Sequence, residues 1–154
     1  MSIPAAYAAE GTLLQIAQSG VSPQIYNTIA NVSDITGPSL ASTVVDVTSH
    51  SSAAPYRQKI PTLLDPGTLS VKIFWVPNSN GSFGVANTPF GHNFTNGLGS
   101  VWSARTLNPY RIVYTDGTTN YFNAYVTKIS QTAMVAGVYE ATVEFDITGT
   151  PDYV

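Results

Sequence analysis

The fold is decided by the last regular stretch of the chain, Val138-Tyr139-Glu140-Ala141-Thr142-Val143-Glu144-Phe145-Asp146-Ile147-Thr148. One set of side chains in it is apolar: Tyr139, Ala141, Val143, Phe145 and Ile147. The alternate set is acidic or hydroxylated: Glu140, Thr142, Glu144, Asp146 and Thr148. Because successive side chains of a strand point to opposite faces, this alternation predicts a strand with one buried face and one wet face.

Other β-like runs precede this strand. Residues 68–76 alternate in the same way, with Leu69, Val71, Ile73 and Trp75 on one face. Two further runs, 110–115 and 120–128, flank Asp116-Gly117, which is a strong hairpin signal because glycine accepts the positive φ of such turns. Shorter candidates are 12–17, 25–32 and 43–48. Ten prolines and twelve glycines punctuate these runs, so the pattern is typical of a mainly β protein.

Two segments lack any sustained period. Residues 49–67 contain Pro55, Pro61 and Pro66, and they are predicted as a long loop. The apolar groups in this loop need a partner, either in another subunit or in an Ω-loop packed on its own domain. Residues 77–92 are predicted as a flexible connection, and residues 1–10 as an N-terminal arm of the single domain 1–154.

One helix is predicted, within residues 93–106. Its packing residues are expected to be Phe94, Leu98, Val101 and Trp102, which recur at roughly helical spacing. Gly97 and Gly99 weaken this prediction, since a glycine inside a helix costs up to about 1 kcal/mol.

Composition points to a surface that is covered in use. The chain has 154 residues, of which 10% are charged, against about 25% in an average domain. Because the buried centres of interfaces are depleted in charge, this favours self-association. A Ser/Thr-rich secreted β domain would have a similar composition, and composition alone does not separate the two.

Several classes of protein are disfavoured. The formal net charge is -3 and the six basic residues are scattered, which argues against a dedicated nucleic-acid binder. Cysteine is absent, so disulfides and thiolate metal sites are excluded. No apolar stretch approaches the roughly 20 residues of a spanning helix, and the first eleven residues do not resemble a signal peptide. We therefore expect no membrane association and no export.

No catalytic, cofactor or metal constellation is recognised. His50 and His92 have no ligand residue at metal-binding spacing. Glu140 and Glu144 would lie roughly 13 Å apart on one strand face, whereas glycosidase carboxylates lie about 5–10 Å apart. Glu144 and Asp146 are closer, but their place in the alternation indicates a solvated strand face rather than a catalytic pair. We therefore expect a structural protein with no cofactor rather than an enzyme.

A string of motifs nevertheless resembles one family. It begins with Ile29-Ala30-Asn31-Val32-Ser33-Asp34-Ile35-Thr36-Gly37-Pro38-Ser39-Leu40 and continues with Asp46-Val47-Thr48-Ser49-His50, Tyr56-Arg57, Ile60-Pro61, Leu64-Asp65 and Gly67. Further along are Arg111-Ile112-Val113-Tyr114-Thr115-Asp116-Gly117-Thr118, Ala124-Tyr125-Val126-Thr127 and Ile147-Thr148-Gly149-Thr150-Pro151. Together they resemble the major tail tube proteins of long-tailed, non-contractile, lambda-like bacteriophages. The departures are residues 76–104, where many members have a more regular helix, and residues 51–55, where the family usually has an acidic residue.

The resemblance implies a β-sandwich or partly open barrel of two packed antiparallel sheets with a flanking helix. Six copies would close a ring and complete a continuous barrel. Stacked rings would form a tube around a tape-measure protein, capped by tail tip and terminator proteins, through which DNA passes without specific binding. The implied location is the virion tail, assembled in the host cytoplasm.

The same resemblance assigns candidate site residues. Loop 49–67 matches the family's long loop that reaches the neighbouring ring, and the candidates for that contact are His50, Tyr56, Arg57, Lys59, Ile60, Leu63 and Leu64. The inner wall should not be basic, because DNA must slide along it. The candidates for the lumen face are therefore Glu140, Thr142, Glu144 and Asp146.

Two other functions remain open from the sequence. The tube could belong to a contractile tail or a related secretion machine, which would share the fold. Alternatively, the chain could be a β-sandwich module that binds sugar or protein through its aromatic side chains, although Trp75 and Trp102 are placed on apolar faces.

Overall fold

A computed structural model describes residues 10–51, 56–86 and 88–153. Most of the predicted N-terminal arm and residues 52–55 of the predicted loop lie outside the described residues. The strands are β1 (Leu13–Ala17), β2 (Tyr26–Thr28), β3 (Val32–Thr36), β4 (Ala41–Asp46), β5 (Lys59–Asp65), β6 (Thr68–Phe74), β7 (Asn108–Val113), β8 (Thr119–Ala133) and β9 (Tyr139–Tyr153). The helix α1 (Leu98–Ala104) lies between β6 and β7.

Seven strands form one antiparallel sheet in the order β2-β1-β7-β8-β9-β6-β3. The remaining two, β4 and β5, pair with each other in a separate antiparallel sheet. The expectation of a mainly β fold with two antiparallel sheets and one helix is thus confirmed, although the two sheets differ greatly in size.

The seven-stranded sheet curls until its two edges nearly meet. Its edge strands, β2 and β3, are separated in sequence by residues 29–31 alone, a link that spans at most about 14 Å. In a flat sheet with strands about 4.8 Å apart, the same edges would lie roughly 29 Å apart. The chain changes partner within this link: Ile29 donates to the Leu14 carbonyl on β1 at 2.9 Å, and Asn31 accepts from Phe74 on β6 at 3.0 Å. The predicted strand 25–32 is therefore two short strands joined by a kink at Asn31, where φ is 59°.

The core lies inside this curled sheet. The inward side chains of β6 and β9 are those that the alternation predicted, except that Tyr139 at the start of β9 is exposed. Tyr110 on β7 packs edge-on against Phe145 on β9 with ring centroids 5.0 Å apart, across the intervening strand β8. The two halves of the sheet thus face each other across one hydrophobic core.

The predicted loop 49–67 is wrong over its second half. Residues 59–65 form β5, which pairs antiparallel with β4 and makes a hairpin of residues 41–65. Pro61 led to the loop prediction because proline has no N–H for a sheet. Each strand of this two-stranded sheet has only one partner, and an edge strand tolerates proline. Pro61 accordingly lies opposite Val44.

The described residues of the predicted connection 77–92 form no helix or strand, but buried groups tie them to the core. Phe90 is fully buried and donates its N–H to the Thr28 carbonyl at 2.7 Å. His92 is also fully buried and stacks on Trp75 with ring centroids 5.1 Å apart.

The helix is shorter than the predicted 93–106. It begins after Gly97 and ends at Arg105, which has left-handed φ. Gly99 lies inside the helix. A glycine is needed at this position because a Cβ would come within 2.6 Å of the Phe94 ring. No helix among the described residues has the length and apolar character needed to cross a membrane.

Candidate assembly surfaces

The β4–β5 hairpin (residues 41–65) is exposed along its whole described length. Every residue of β4 and β5 is exposed, including Ile60 at 51%, Leu63 at 73% and Leu64 at 82%. A two-stranded hairpin alone is marginally stable in water and buries its apolar side chains only against another element. No other described element covers this hairpin, so its apolar groups remain open for a partner.

Apolar side chains lie on both faces of the hairpin. Near its outer half, Val45 lies opposite Ile60 on one face. On the alternate face, Val44 lies opposite Pro61, next to the Asp46 and Lys59 pair. A hairpin with two apolar faces would be covered by two surfaces, one on each side.

All seven candidates for the inter-ring contact lie on this hairpin or its outer turn and are exposed: His50, Tyr56, Arg57, Lys59, Ile60, Leu63 and Leu64. Arg57 and Asp46 make an exposed ion pair at 3.8 Å, which contributes little by itself. Hydrogen bonds from Thr48 lower the pKa of the Asp46 carboxyl, and so does nearby Lys59 to a smaller degree. The structure thus places the seven candidates on one projecting element, although the sequence predicted a loop where β5 lies.

The base of the hairpin is a close backbone crossing. Gly67 has a φ of +78°, and a Cβ there would lie 1.8 Å from the Ser39 carbonyl oxygen. Ser39 donates to Thr68 at 3.2 Å, and Ile147 donates to Gly67 at 3.0 Å. The hairpin therefore leaves the curled sheet through a crossing that only glycine fits, anchored to β6 and β9.

A second surface is the polar face of the sheet, defined here as the outward side of β3, β6, β8 and β9. The lumen candidates Glu140, Thr142, Glu144 and Asp146 all lie on this face of β9, alternating with the buried set. Glu140 and Glu144 are partly exposed and Asp146 is exposed. The structure brings the predicted carboxylates together on one strand face.

Two lysines also lie on the polar face. Lys72 on β6 lies opposite Thr142, and Lys128 on β8 lies opposite Glu144. Asp34 on β3 lies opposite Lys72. The face is therefore mixed in charge with an acidic excess, which sequence reasoning described only from its β9 side.

A third surface is apolar and surrounds the turn between β8 and β9. Met134, Val135, Val138 and Tyr139 are exposed there. Tyr139 also accepts a hydrogen bond from Trp75 at 2.9 Å, which places the turn near the end of β6. This patch was not predicted from the sequence, because the strand that became β8 was expected to end at residue 128.

The four helix candidates divide into two pairs. Leu98 and Val101 are buried in the core, while Phe94 and Trp102 are about half exposed. Phe94 contacts Trp75, with ring centroids 5.9 Å apart, and lies over Gly99. Trp102 is therefore on the outer side of the helix rather than in the core.

The described residues form no candidate metal site. Among residues 10–51, 56–86 and 88–153, no group of three His, Asp or Glu side chains could hold a metal ion. His50 is exposed at the hairpin turn, and His92 is buried with both ring nitrogens bonded to the backbone.

Comparison with known proteins gives matches in structure only. No protein-family profile matches the chain, and no curated protein matches it in sequence. A chain from the tail of an empty gene transfer agent particle, solved with C6 symmetry, superposes with a TM-score of 0.71 at 16% identity, covering 97% of this chain and 99% of that one. A chain from the virion of a native gene transfer agent gives a TM-score of 0.68 at 13% identity, with coverages of 97% and 99%.

A third solved structure extends the likeness to another machine. A chain from the sheath/tube terminator of an extracellular contractile injection system in its extended state gives a TM-score of 0.65 at 8% identity, covering 99% of both chains. These chains come from tails, virions and injection systems. The present chain has their fold over nearly its whole length.

Proposed function

We propose that this chain is a structural subunit of a tail tube, which associates with copies of itself into hexameric rings that stack into a hollow tail. The observation that carries the proposal is the β4–β5 hairpin, which has apolar side chains on both faces and no covering element in the described part of the chain. The shared fold with a tail chain solved under C6 symmetry supports the choice of ring. Neither feature requires an enzyme, and the proposed location is the virion tail.

The hairpin supplies the contact between rings in this proposal. A ring and a stack both need head-to-tail contacts, in which a projecting surface of one copy meets a different surface of the next. Covering a Val, Leu or Ile side chain contributes about 1.5–3 kcal/mol when burial is complete. Several such side chains on one hairpin would stabilise the stack strongly enough to offset the loss of subunit freedom.

The polar face supplies the inner wall. Its carboxylates outnumber its lysines, so a DNA phosphate backbone meets no continuous basic track along it. We propose that this face lines the channel and that DNA passes it during ejection. A tape-measure protein would fill the channel before ejection, and tip and terminator proteins would close the ends.

Electron microscopy of the purified chain tests the proposal. Hollow tubes or sixfold rings are the expected result when concentration is raised. Isolated particles at every concentration, together with absence of the chain from mature virus particles, would contradict it.

The inner tube of a contractile machine is a second candidate. The likeness to a chain from the sheath/tube terminator of a contractile injection system supports it. A sheath gene beside the gene for this chain would select the contractile machine, and its absence would select the lambda-like tail that the sequence motifs resemble.

A further inference from the structure

A groove runs along the open edge of the curled sheet. It has a volume of about 740 Å³ and lies between β3 and the turn that joins β7 to β8. Val32, Ile35 and Tyr114 line it and also pack against the core, which gives the groove an apolar floor. The groove is thus bordered by β3 on one side and by the end of β7 with its turn on the other.

The edge of β3 that faces this groove has no strand partner among the described residues. β3 pairs with β6 on its other side only. An open edge presents unpaired backbone N–H and C=O groups, which can add a further strand from another chain. The groove therefore offers backbone hydrogen bonds as well as an apolar floor.

The groove is acidic. Glu10, Asp34 and Asp116 line it, and no lysine or arginine does. Hydrogen bonds from Thr118 lower the pKa of the Asp116 carboxyl below its ordinary value. Lys72 lies opposite Asp34 in the sheet and offsets part of the negative charge of Asp34. Glu10 and Asp116 therefore contribute most of the negative potential in the groove.

The β4–β5 hairpin has the complementary properties. It is extended, its apolar side chains are exposed, and each of its two strands has one edge without a strand partner among the described residues. Arg57 and Lys59, two of the six basic residues of the chain, lie in its outer half with Asp46, so residues 46–60 have a formal net charge of +1, while Asp65 lies at its base. We propose that the groove receives the β4–β5 hairpin of a second copy, with β5 lying along β3 and the basic residues facing Glu10 and Asp116.

This docking rests on the proposed tube and specifies one of its contacts. The hairpin and the groove are different surfaces of one chain, so each copy uses its hairpin on one neighbour and its groove on another. Such a contact does not close as a dimer and extends into a ring or a stack. One face of the hairpin would meet the groove floor, while the second apolar face would be left for a further copy.

Disulfide trapping tests the contact directly, because the chain has no cysteine of its own. One protein carries Ser33→Cys in the groove and the other carries Leu63→Cys on the hairpin, and both positions are exposed. Mixing them under assembly conditions and then oxidising should give a linked pair. Val135→Cys on the exposed β8–β9 turn, paired with Ser33→Cys, is the matched control and should give at least about tenfold less product.

The outcomes separate the docking from the tube itself. Tubes that form without a Ser33–Leu63 link would overturn the docking and leave the tail-tube function intact, whereas no assembly at all would overturn both. The competing occupant is the chain's own segment 1–9, which precedes Glu10. An internal disulfide in a chain with Ser2→Cys and Ser33→Cys, together with no Ser33–Leu63 link, would give the groove to that segment and overturn the proposal.

Charge reversal provides a second readout. Lys59→Glu and Glu10→Lys should each raise the concentration needed for assembly by about two- to fivefold, the effect of a partly exposed ion pair. Both changes in one chain should restore assembly, because they re-create the pair between copies. Lys128→Glu makes the same charge change on the polar face and should not respond to Glu10→Lys. Failure of the double variant to recover would contradict the assigned pairing.

Discussion

His92 holds three separate parts of the chain together. Its Nδ1 accepts the Val76 N–H at 3.1 Å, and its Nε2 lies 2.8 Å from the Ala30 carbonyl oxygen. Since Nδ1 accepts, the neutral ring carries its proton on Nε2 and donates it to Ala30. The ring thus bonds the kink between β2 and β3 to the end of β6, and the sequence offered no sign of this role.

Replacing His92 tests this role. His92→Phe keeps a ring against Trp75 but leaves the Val76 N–H and the Ala30 carbonyl without partners. An unsatisfied buried polar group costs about 1–3 kcal/mol, so we expect the free energy of unfolding to fall by about 2–4 kcal/mol. Urea denaturation measures this. The exposed His50→Phe is the matched control and should change the value by less than about 0.5 kcal/mol.

The same histidine predicts how stability depends on pH. Burial lowers the pKa of His92 below its ordinary value of 6.5, because the buried ring disfavours charge. The unfolded chain therefore binds a proton that the folded chain does not bind, and stability falls as pH drops below about 6.5. This contribution is fully present above pH 6.5 and stops changing below the lowered pKa. In denaturation series at pH 7.5 and 5.5, His50→Phe should retain the loss and His92→Phe should lack most of it.

Lys128 shows where residue patterns mislead. Phe122, Ala124 and Val126 are buried, so continued alternation would also turn Lys128 inward. A register shift between Val126 and Lys128 moves it to the outer face opposite Glu144. A bulge of this kind adds one residue to one strand and leaves no clear mark in composition. The alternation of β6 and β9 was predictable, whereas the outward position of Lys128 was not.

Of the two strands of the hairpin, only the first was predicted from the sequence. Its first strand was expected from the β-branched run 43–48, and the structure has β4 at Ala41–Asp46. Its second strand was missed because the prolines and the lack of a sustained period indicated a loop. Local sequence does not specify that β5 has one partner and an open edge, which is the circumstance that makes proline acceptable.

Gly67 should be required for the close backbone crossing at the base of the hairpin. Gly67→Ala adds a Cβ into the Ser39 backbone at a positive φ, so we expect a loss of about 2–4 kcal/mol in stability from clash and strain. Gly20→Ala is the matched control, because Gly20 has the same φ of +78° with no atom within 4 Å of the added Cβ. Its cost should be only the strain of about 1–2 kcal/mol. Equal effects of the two variants in thermal unfolding would contradict the close crossing.

The hairpin lies outside the core of the molecule. A substitution on it should therefore affect assembly without affecting the stability of the folded subunit. Ile60→Asp should leave the unfolding free energy of the subunit within about 0.5 kcal/mol of the parent, since the side chain is exposed. Assembly should need at least about tenfold more protein, because the exposed half of the isoleucine loses its burial and an aspartate in its place would be a buried, unpaired charge. Urea denaturation measures the free energy of unfolding, and sedimentation velocity measures the fractions of free subunit and assembled protein. Ser130→Asp, which adds the same charge to the polar face, should assemble as the parent does.

The fold class of the chain was predictable from the sequence, but the near-closure of the seven-stranded sheet was not. Period-two patterns and the Asp116-Gly117 turn predicted a mainly β chain, and Asp116 indeed bonds the Thr118 N–H within that turn at 2.9 Å. The near-closure of the sheet depends on β2 and β3 lying at opposite edges. Pairing between strands distant in sequence is not encoded in local patterns, so neither the groove nor the free hairpin could be derived from them.

A cryo-electron microscopy map of the assembled chain is the most direct test of the claim that this hairpin is covered by other copies. We predict stacked sixfold rings in which both faces of residues 41–65 contact neighbouring subunits and Glu140 and Glu144 face the channel. A map with the hairpins in solvent, or with those carboxylates on the outer wall of the tube, would contradict the account.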